Sequence, residues 1–197
     1  MKKKLVAITG GIGSGKSLAL QFLRELNYPV FSCDEIYKEV IVSKEYIELL
    51  EKLFPNVVKN GQVNRTALAK TVFNNETMRI KLNNLAHPII MKLLLRYMEA
   101  AEGRIVFAEV PLLFEGNFEK IFDQVLYIAR DKQLRIEAVI RRDGLLGCDV
   151  EKRIASQFDG MSMEGQRRLK ECNAKVIYNS GGKDEFKKEI LAYLETL

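Results

Sequence analysis

The sequence contains the segment Gly10-Gly11-Ile12-Gly13-Ser14-Gly15-Lys16-Ser17, which predicts a phosphate-binding turn between a strand and a helix. It matches the pattern GxxxxGK[ST] at every fixed position, between an apolar run at residues 5–8 and a helical pattern over residues 17–26. In that context backbone N–H groups and a helix N-terminus bind phosphate oxygens. The lysine then reaches the β- and γ-phosphates and the final serine binds Mg²⁺. The alternative is a glycine-rich turn with a solvated lysine. The predicted nucleotide-binding residues are Gly11, Ile12, Gly13, Ser14, Gly15, Lys16 and Ser17.

The rest of the chain alternates short apolar runs with helical patterns. Further strands are predicted at residues 29–33, 104–109, 124–128 and 175–178, and helices at residues 131–142, 150–158 and from 184 onward. Buried strands separated by helices predict an α/β fold, a doubly wound parallel sheet of five strands.

Two longer excursions interrupt this alternation. Residues 45–102 are helical almost throughout, with predicted breaks at Pro55, at Asn60-Gly61 and at His87-Pro88. Before them a further helix is predicted to run toward Val42, and Asp34 stands where that helix would need its N-cap. Because no linker is rich in glycine and serine, we interpret residues 1–197 as a single domain. Its core would comprise residues 1–33, 103–129 and 171–197, with an insertion at 34–102 and a second excursion at 130–170.

Composition narrows the classes of partner. The formal net charge of +5 suits a polyanion: nucleic acid, an acidic membrane or a multiply phosphorylated small molecule. No run of about 18 apolar residues occurs, and the three cysteines are far apart, which favours reduced thiols. One histidine makes a zinc site improbable. We expect a cytoplasmic protein without a membrane partner, and without a nucleic-acid partner because aromatic residues are not interleaved with a basic stripe.

Several further segments carry a family pattern in order along the chain. They are Cys33-Asp34-Glu35, Leu85-Ala86-His87-Pro88, Val110-Pro111-Leu112-Leu113-Phe114-Glu115, Arg141-Arg142-Asp143-Gly144-Leu145, Arg153-Ile154-Ala155-Ser156-Gln157 and Val176-Ile177-Tyr178-Asn179-Ser180-Gly181. Together with the glycine-rich loop, this set resembles the dephospho-coenzyme A kinase family over essentially the whole chain. The loop alone is generic, whereas the ordered set with Pro-Leu-Leu-Phe-Glu is specific to the family.

The resemblance implies a P-loop NTPase-type core, an inserted helical acceptor-binding region (34–102) and a helical lid (130–170). It implies transfer of the γ-phosphate of ATP to the 3′-hydroxyl of dephospho-coenzyme A, with Mg²⁺ as cofactor. Asp34 would be the general base that orients the hydroxyl. Lys16 and the lid arginines Arg141 and Arg142 would stabilise charge on the transferred phosphate.

The resemblance also implies binding residues for each substrate. The acceptor would contact Asp34, His87, Pro111, Leu112, Phe114 and Glu115, and ATP would be held further by Asn179 and Gly181 at the adenine. Ser17 would bind Mg²⁺ directly. Asp34 or Glu109 would assist through water.

Each of these residues has a simpler interpretation. Asp34 could cap a helix, the two lid arginines could be solvated cations at a helix end, and His87 could join two helices. Residues 111–115 and 179–181 could be plain turns, and Glu109 could be a solvated strand end.

Three positions depart from the family pattern. Ser32 replaces its first aspartate, Leu18 stands where threonine is usual, and Lys175 replaces an aspartate of the closing segment. The first change leaves Asp34 to work alone, and the last affects the adenine pocket.

The rival functions are another small-molecule kinase, such as a nucleoside or nucleoside-monophosphate kinase, and an ATP-binding regulatory module without an acceptor. A nucleic-acid binder is favoured only by the basic charge.

Overall fold

The structure is a computed structural model that describes residues 3–73, 75–180 and 182–197. The strands in these residues are β1 (Lys4–Thr9), β2 (Val30–Ser32), β3 (Val58–Lys59), β4 (Gln62–Val63), β5 (Ile105–Glu109), β6 (Gln124–Ala129) and β7 (Lys175–Tyr178). The helices are α1 (Lys16–Glu25), α2 (Cys33–Val40), α3 (Lys44–Leu53), α4 (Arg65–Phe73), α5 (Glu76–Ala100), α6 (Lys132–Asp143), α7 (Gly147–Ala155), α8 (Met163–Glu171) and α9 (Lys183–Leu194), and a 3₁₀ turn covers Glu119–Ile121.

Five strands form one sheet in the order β2-β5-β1-β6-β7. β1 pairs in parallel with β5 on one side and with β6 on the other, and β6 pairs in parallel with β7. The central strand is apolar on both faces, with Val6, Ala7 and Ile8 fully buried, as expected where helices cover both faces of a parallel sheet. The predicted five-stranded α/β fold is therefore confirmed.

The chain divides into two compact units, residues 1–30 with 100–197 (unit 1) and residues 31–99 (unit 2). The core of unit 1 joins β1, β5, β6 and β7 to α1 and α9, with Phe22, Phe107 and Phe186 among its buried side chains. Unit 2 has its own buried side chains on α2, α3 and α5, including Ile36, Leu50 and Leu94. Each unit thus buries apolar side chains of its own.

Two predictions within unit 2 were wrong. α5 runs through the predicted break at His87-Pro88, because its buried face (Ala86, Ile90, Met91, Leu94 and Met98) continues on both sides of the proline. That burial outweighs the roughly 3 kcal/mol that an interior proline costs. The predicted capping role of Asp34 belongs instead to Ser32, whose Oγ accepts a 3.3 Å hydrogen bond from the Asp34 N–H.

The sequence patterns also missed two elements and shifted a third. Residues 58–63 form a small antiparallel hairpin around the predicted break at Asn60-Gly61, and α8 follows the second lid helix. That second helix, α7, covers Gly147–Ala155 instead of residues 150–158. Turn and cap residues mark where such short elements begin and end only to within a few residues, and they do not show which segments pair with each other.

None of the helices in the described residues is both long enough and apolar enough to cross a membrane.

Candidate functional site

The phosphate loop, residues 10–17, lies between the end of β1 and the first turn of α1. Gly13 has a φ of 76° and Gly15, the N-cap of α1, a φ of 105°. Residues with a Cβ rarely adopt these φ angles. A Cβ at Gly13 would also lie only 2.6 Å from the Arg135 carbonyl oxygen. The glycines are therefore required by the path of the loop and by what packs against it.

Side-chain donors hold the loop carbonyls one after another. Lys16 Nζ donates to the carbonyls of Gly10 (2.9 Å) and Gly11 (3.2 Å). The next three carbonyls are held from distant parts of unit 1. Arg135 Nε donates to Ile12 (2.9 Å), Arg130 Nη1 to Gly13 (3.0 Å) and Asn179 Nδ2 to Ser14 (2.9 Å).

This arrangement sets the direction of the loop amides. In a planar trans peptide the carbonyl of one residue and the N–H of the next point in opposite directions. Holding the Ile12 and Ser14 carbonyls therefore turns the N–H groups of Gly13 and Gly15 to the opposite side of the loop. Those amides and the N-terminus of α1 form a concentration of donors suited to phosphate.

The first lid helix, α6, packs directly against this loop. Asp131 caps it by accepting hydrogen bonds from the N–H groups of Gln133 (2.8 Å) and Leu134 (3.2 Å). Ile136, Val139 and Val150 form a small lid core, against which Ile12 of the loop is packed. Burial lowers the pKa of Arg135, although an arginine remains charged in proteins.

Within the predicted lid, residues 157–160 follow α7 as a return segment, which is bonded to the same region. Gln157 Oε1 accepts a 2.8 Å hydrogen bond from the Ile12 N–H, and the Phe158 N–H donates to Glu115 Oε1 (2.8 Å). The Gly160 N–H donates to the Tyr127 hydroxyl (3.1 Å). Arg135 of α6 and the return segment, which together we call the lid base, are thus attached to the core of unit 1.

The turn at residues 111–115 supports this return segment. The Phe114 ring is stacked on that of Phe158, with centroids 4.1 Å apart, and Arg168 lies over both rings. Arg168 also pairs with Glu119 at 2.6 Å. Phe114 is 1% exposed, so its side chain has a packing role in this structure, and its predicted acceptor contact stays a prediction. The acceptor contacts of Pro111, Leu112 and Glu115 stay predictions.

Glu109 ends β5 beside β1, opposite Ile8 in the strand register. Glu109 is only 9% exposed, so the simpler interpretation as a solvated strand end does not apply. Arg142 lies in the last turn of α6, where its Nε and Nη2 donate to Asp143 at 2.7 and 2.9 Å. These hydrogen bonds, and the negative charges of Asp143 and Glu109, raise the pKa of Arg142. Arg141 is exposed in the same turn.

A cleft of about 820 Å³ lies between the lid and the carboxyl ends of β6 and β7. Its lining includes Arg130, Arg135, Ile154, Gln157, Tyr178 and Asn179. Ligands of open α/β sheets bind at this edge, so the cleft is the candidate nucleotide site.

The other predicted site residues lie elsewhere. Asp34 is exposed in the first turn of α2, and His87 is partly buried in the middle of α5, both within unit 2. His87 therefore does not join two helices. Gly181 lies outside the described residues, so its predicted contact with adenine stays a prediction.

Three residues that hold the loop were missed by the sequence interpretation: Arg130, Arg135 and Gln157. Gln157 was part of a quoted lid segment without a role, and the arginines followed a buried strand without any motif. Their loop contacts span 117 to 145 residues of chain, beyond the reach of a local pattern.

Comparison with known proteins identifies the family. A family model described as dephospho-CoA kinase matches residues 4–185. A dephospho-CoA kinase from Fusobacterium nucleatum is 31% identical over 199 aligned residues, covering 100% of both chains.

Solved structures match as well. A crystal structure of a Thermus thermophilus protein has a TM-score of 0.82 at 32% identity and covers 100% of this chain and 99% of its own. A dephospho-CoA kinase from Campylobacter jejuni has a TM-score of 0.63 at 25% identity, covering 98% and 97% of the two chains. The predicted kinase activity is thereby confirmed, and this chain belongs to the dephospho-CoA kinase family.

Proposed function

We propose that this chain transfers the γ-phosphate of ATP to the 3′-hydroxyl of dephospho-coenzyme A, giving coenzyme A and ADP. The observation that carries the proposal is the phosphate loop, whose carbonyls are held by five donated hydrogen bonds, which turn the N–H groups of Gly13 and Gly15 to the other side. The match of the family model over residues 4–185 supports the choice of acceptor.

The loop and Lys16 would bind the triphosphate. Lys16 Nζ lies 2.9 Å from the Gly10 carbonyl and 3.2 Å from that of Gly11, which places its charge at the mouth of the loop. A lysine at this position of the motif reaches the β- and γ-phosphates. The donors are already in place, so little rearrangement is needed when phosphate binds.

Mg²⁺ would be held by Ser17, with Glu109 acting through water. The fit is supported by the exposed Ser17 hydroxyl in the first turn of α1 and by the nearly buried Glu109 at the end of the neighbouring strand. Among the described residues no group of three or more His, Cys, Asp or Glu could form a dedicated cage. This suits an ion that keeps several waters and otherwise binds phosphate oxygens. When bound, it would neutralise charge on the β- and γ-phosphates.

The cleft beside the lid would take the nucleoside of ATP. Asn179 lies at its floor, 5% exposed, and Tyr178 and Ile154 line it. The lining combines apolar and aromatic side chains, which suit a planar base, with charged and polar ones such as Arg130 and Gln157. Gly181 is included in this proposal by the family pattern.

Asp34 would be the general base, in the acceptor-binding region at residues 34–102. It is exposed in the first turn of α2, where Ser32 supplies the cap and leaves the carboxylate of Asp34 available. A carboxylate that accepts the hydroxyl proton mainly orients the nucleophile in a loose phosphoryl transfer. His87 and the turn at 111–115 would contribute to acceptor binding.

Arg141 and Arg142 would face the transferred phosphate from the lid. Arg142 is the better supported of the two, since the charge of Glu109 at the end of β5 contributes to its raised pKa. A guanidinium can spread donors over the equatorial oxygens as charge develops there.

The test is an acceptor panel. The protein is mixed with Mg-ATP and either dephospho-coenzyme A, nucleosides or nucleoside monophosphates, and acceptor-dependent ADP is measured. Turnover with dephospho-coenzyme A alone is the expected result. Turnover confined to the other acceptors would assign the protein to a different small-molecule kinase, and ATP binding without any transfer would favour a regulatory module.

A further inference from the structure

The backbone of Ile12, in the phosphate loop, is held from both sides by the lid base. Its carbonyl accepts from Arg135 Nε at 2.9 Å, and its N–H donates to Gln157 Oε1 at 2.8 Å. Arg135 lies in the first turns of α6, and Gln157 lies just after α7. The two lid segments therefore meet at one residue of the loop.

The fit around this residue is tight. A Cβ on Gly11 would overlap the guanidinium of Arg135, and a Cβ on Gly13 would lie 2.6 Å from its carbonyl oxygen and 3.0 Å from its Cα. The Ile12 side chain packs against the lid core of Ile136, Val139 and Val150. The loop cannot change its path here without displacing the lid base.

Gln157 is itself fixed by its neighbours. The Phe158 N–H is bonded to Glu115, the Phe158 ring is stacked on Phe114, and the Gly160 N–H is bonded to Tyr127. Its carboxamide oxygen is thus presented to the Ile12 N–H by a rigid segment, which lowers the entropy cost of the hydrogen bond.

We propose that Arg135 and Gln157 are positioning residues that clamp the backbone of Ile12 and hold the phosphate loop ready for nucleotide. Through this clamp, binding of nucleotide to the loop is coupled to the order of the lid. The inference rests on the proposed function only in that the loop binds a nucleotide. It does not depend on the acceptor.

The coupling has a direct physical origin. A phosphate that binds the loop amides stabilises one arrangement of the loop backbone, and the two hydrogen bonds on Ile12 favour the same arrangement. Each therefore stabilises the other, and by linkage the lid base becomes more ordered when nucleotide is bound.

The experiment uses Arg135→Met and Gln157→Leu, each with a matched control on an exposed helix face. Arg167→Met removes an arginine of α8 that pairs with Glu164 and Glu171, and Gln133→Leu removes a glutamine of α6 that bonds to Glu137. ADP affinity is measured by calorimetry, and hydrogen exchange of residues 132–158 is followed with and without saturating ADP.

We expect each clamp variant to bind ADP about tenfold more weakly, the effect of losing one partly buried hydrogen bond. The ADP-dependent protection of residues 132–158 should be lost in both clamp variants and kept in both controls. A clamp variant that binds ADP like the wild type, or keeps that protection, would overturn the proposal.

A third variant separates the hydrogen bond from packing. Gln157→Glu retains an oxygen that accepts the Ile12 N–H, so at saturating ADP it should keep the protection that Gln157→Leu loses. Equal loss in both would refute the clamp, and this comparison stands even if Arg135→Met fails to fold. Failure of the proposed function gives a different result, since the wild type would then lack ADP binding or transfer to dephospho-coenzyme A.

Discussion

The side-chain amide of Asn179 donates a 2.9 Å hydrogen bond to the carbonyl of Ser14, and both residues are almost fully buried. The backbone N–H of Asn179 is also bonded, to the Ala129 carbonyl at the end of β6 (2.8 Å). This one residue therefore links the end of β7 to the phosphate loop and to the neighbouring strand. It gives Asn179 a structural role in the loop in addition to its proposed position beside adenine.

Replacing Asn179 by aspartate should damage both stability and nucleotide binding. A carboxylate cannot donate to the Ser14 carbonyl, and an unsatisfied buried polar group costs about 1–3 kcal/mol. We expect a drop of that size in the free energy of unfolding, measured by urea denaturation, with a higher KM for ATP. Asn84→Asp, at an exposed position of α5, is the control and should change stability by less than about 0.5 kcal/mol. Unchanged stability of Asn179→Asp would show that the hydrogen bond contributes little.

Asp34→Asn should keep ATP binding and lose transfer. General-base catalysis contributes about 10²- to 10⁴-fold, so we expect kcat to fall by at least about 100-fold. Calorimetry should give an ATP dissociation constant within about twofold of the wild type. Asp184→Asn is a matched control, because Asp184 also lies in the first turn of a helix. Near-normal turnover of Asp34→Asn would remove Asp34 from the role of base.

Pro88→Ala should stabilise unit 2. Pro88 lies inside α5 and has no N–H to donate to the carbonyl four residues earlier. Alanine restores that hydrogen bond and removes the ring clash, while the gain in unfolded-chain entropy offsets part of the benefit. We expect a net gain of about 1 kcal/mol in the free energy of unfolding. Lys92→Ala, at an exposed position on the same helix, is the control. A lower melting temperature for Pro88→Ala would mean that the helix has adapted to the proline.

The buried hydroxyl of Tyr193 should make the folded protein less stable at alkaline pH. Its hydroxyl is buried without a hydrogen-bond partner among the described residues, and burial raises its pKa above the ordinary value near 10. The pKa of Tyr193 is higher in the folded than in the unfolded protein. The neutral phenol therefore makes its full contribution to the free energy of unfolding below a pH of about 10, and this contribution declines as the pH rises further.

Tyr193→Phe should therefore reduce the loss of stability between pH 8 and pH of about 10.5, and should be neutral or slightly stabilising at pH 8. Urea midpoints at the two pH values provide the measurement. Tyr178→Phe is the control, since Tyr178 is 57% exposed. An identical alkaline loss in Tyr193→Phe and the wild type would exclude Tyr193 as its source.

The amino-acid sequence was sufficient to identify the phosphate loop, the five strands of the main sheet and the family. These features are local: a strand, a glycine-rich turn and a helix follow one another over residues 4–25, and glycine is needed where a positive φ coincides with close packing, as at Gly13 and Gly15. Apolar runs long enough to be buried on both faces also identify the strands of a parallel sheet without reference to their partners.

The side chains that hold the phosphate loop could be identified only from the three-dimensional structure. Arg130, Arg135 and Gln157 reach the loop across 117, 123 and 145 residues, and their types are unremarkable in their own segments. Packing likewise kept α5 continuous through Pro88 and made Phe114 a support for the return segment. A hydrogen bond or a buried face depends on where distant parts of the chain meet in space, and the spacing of residues along one segment does not contain that information.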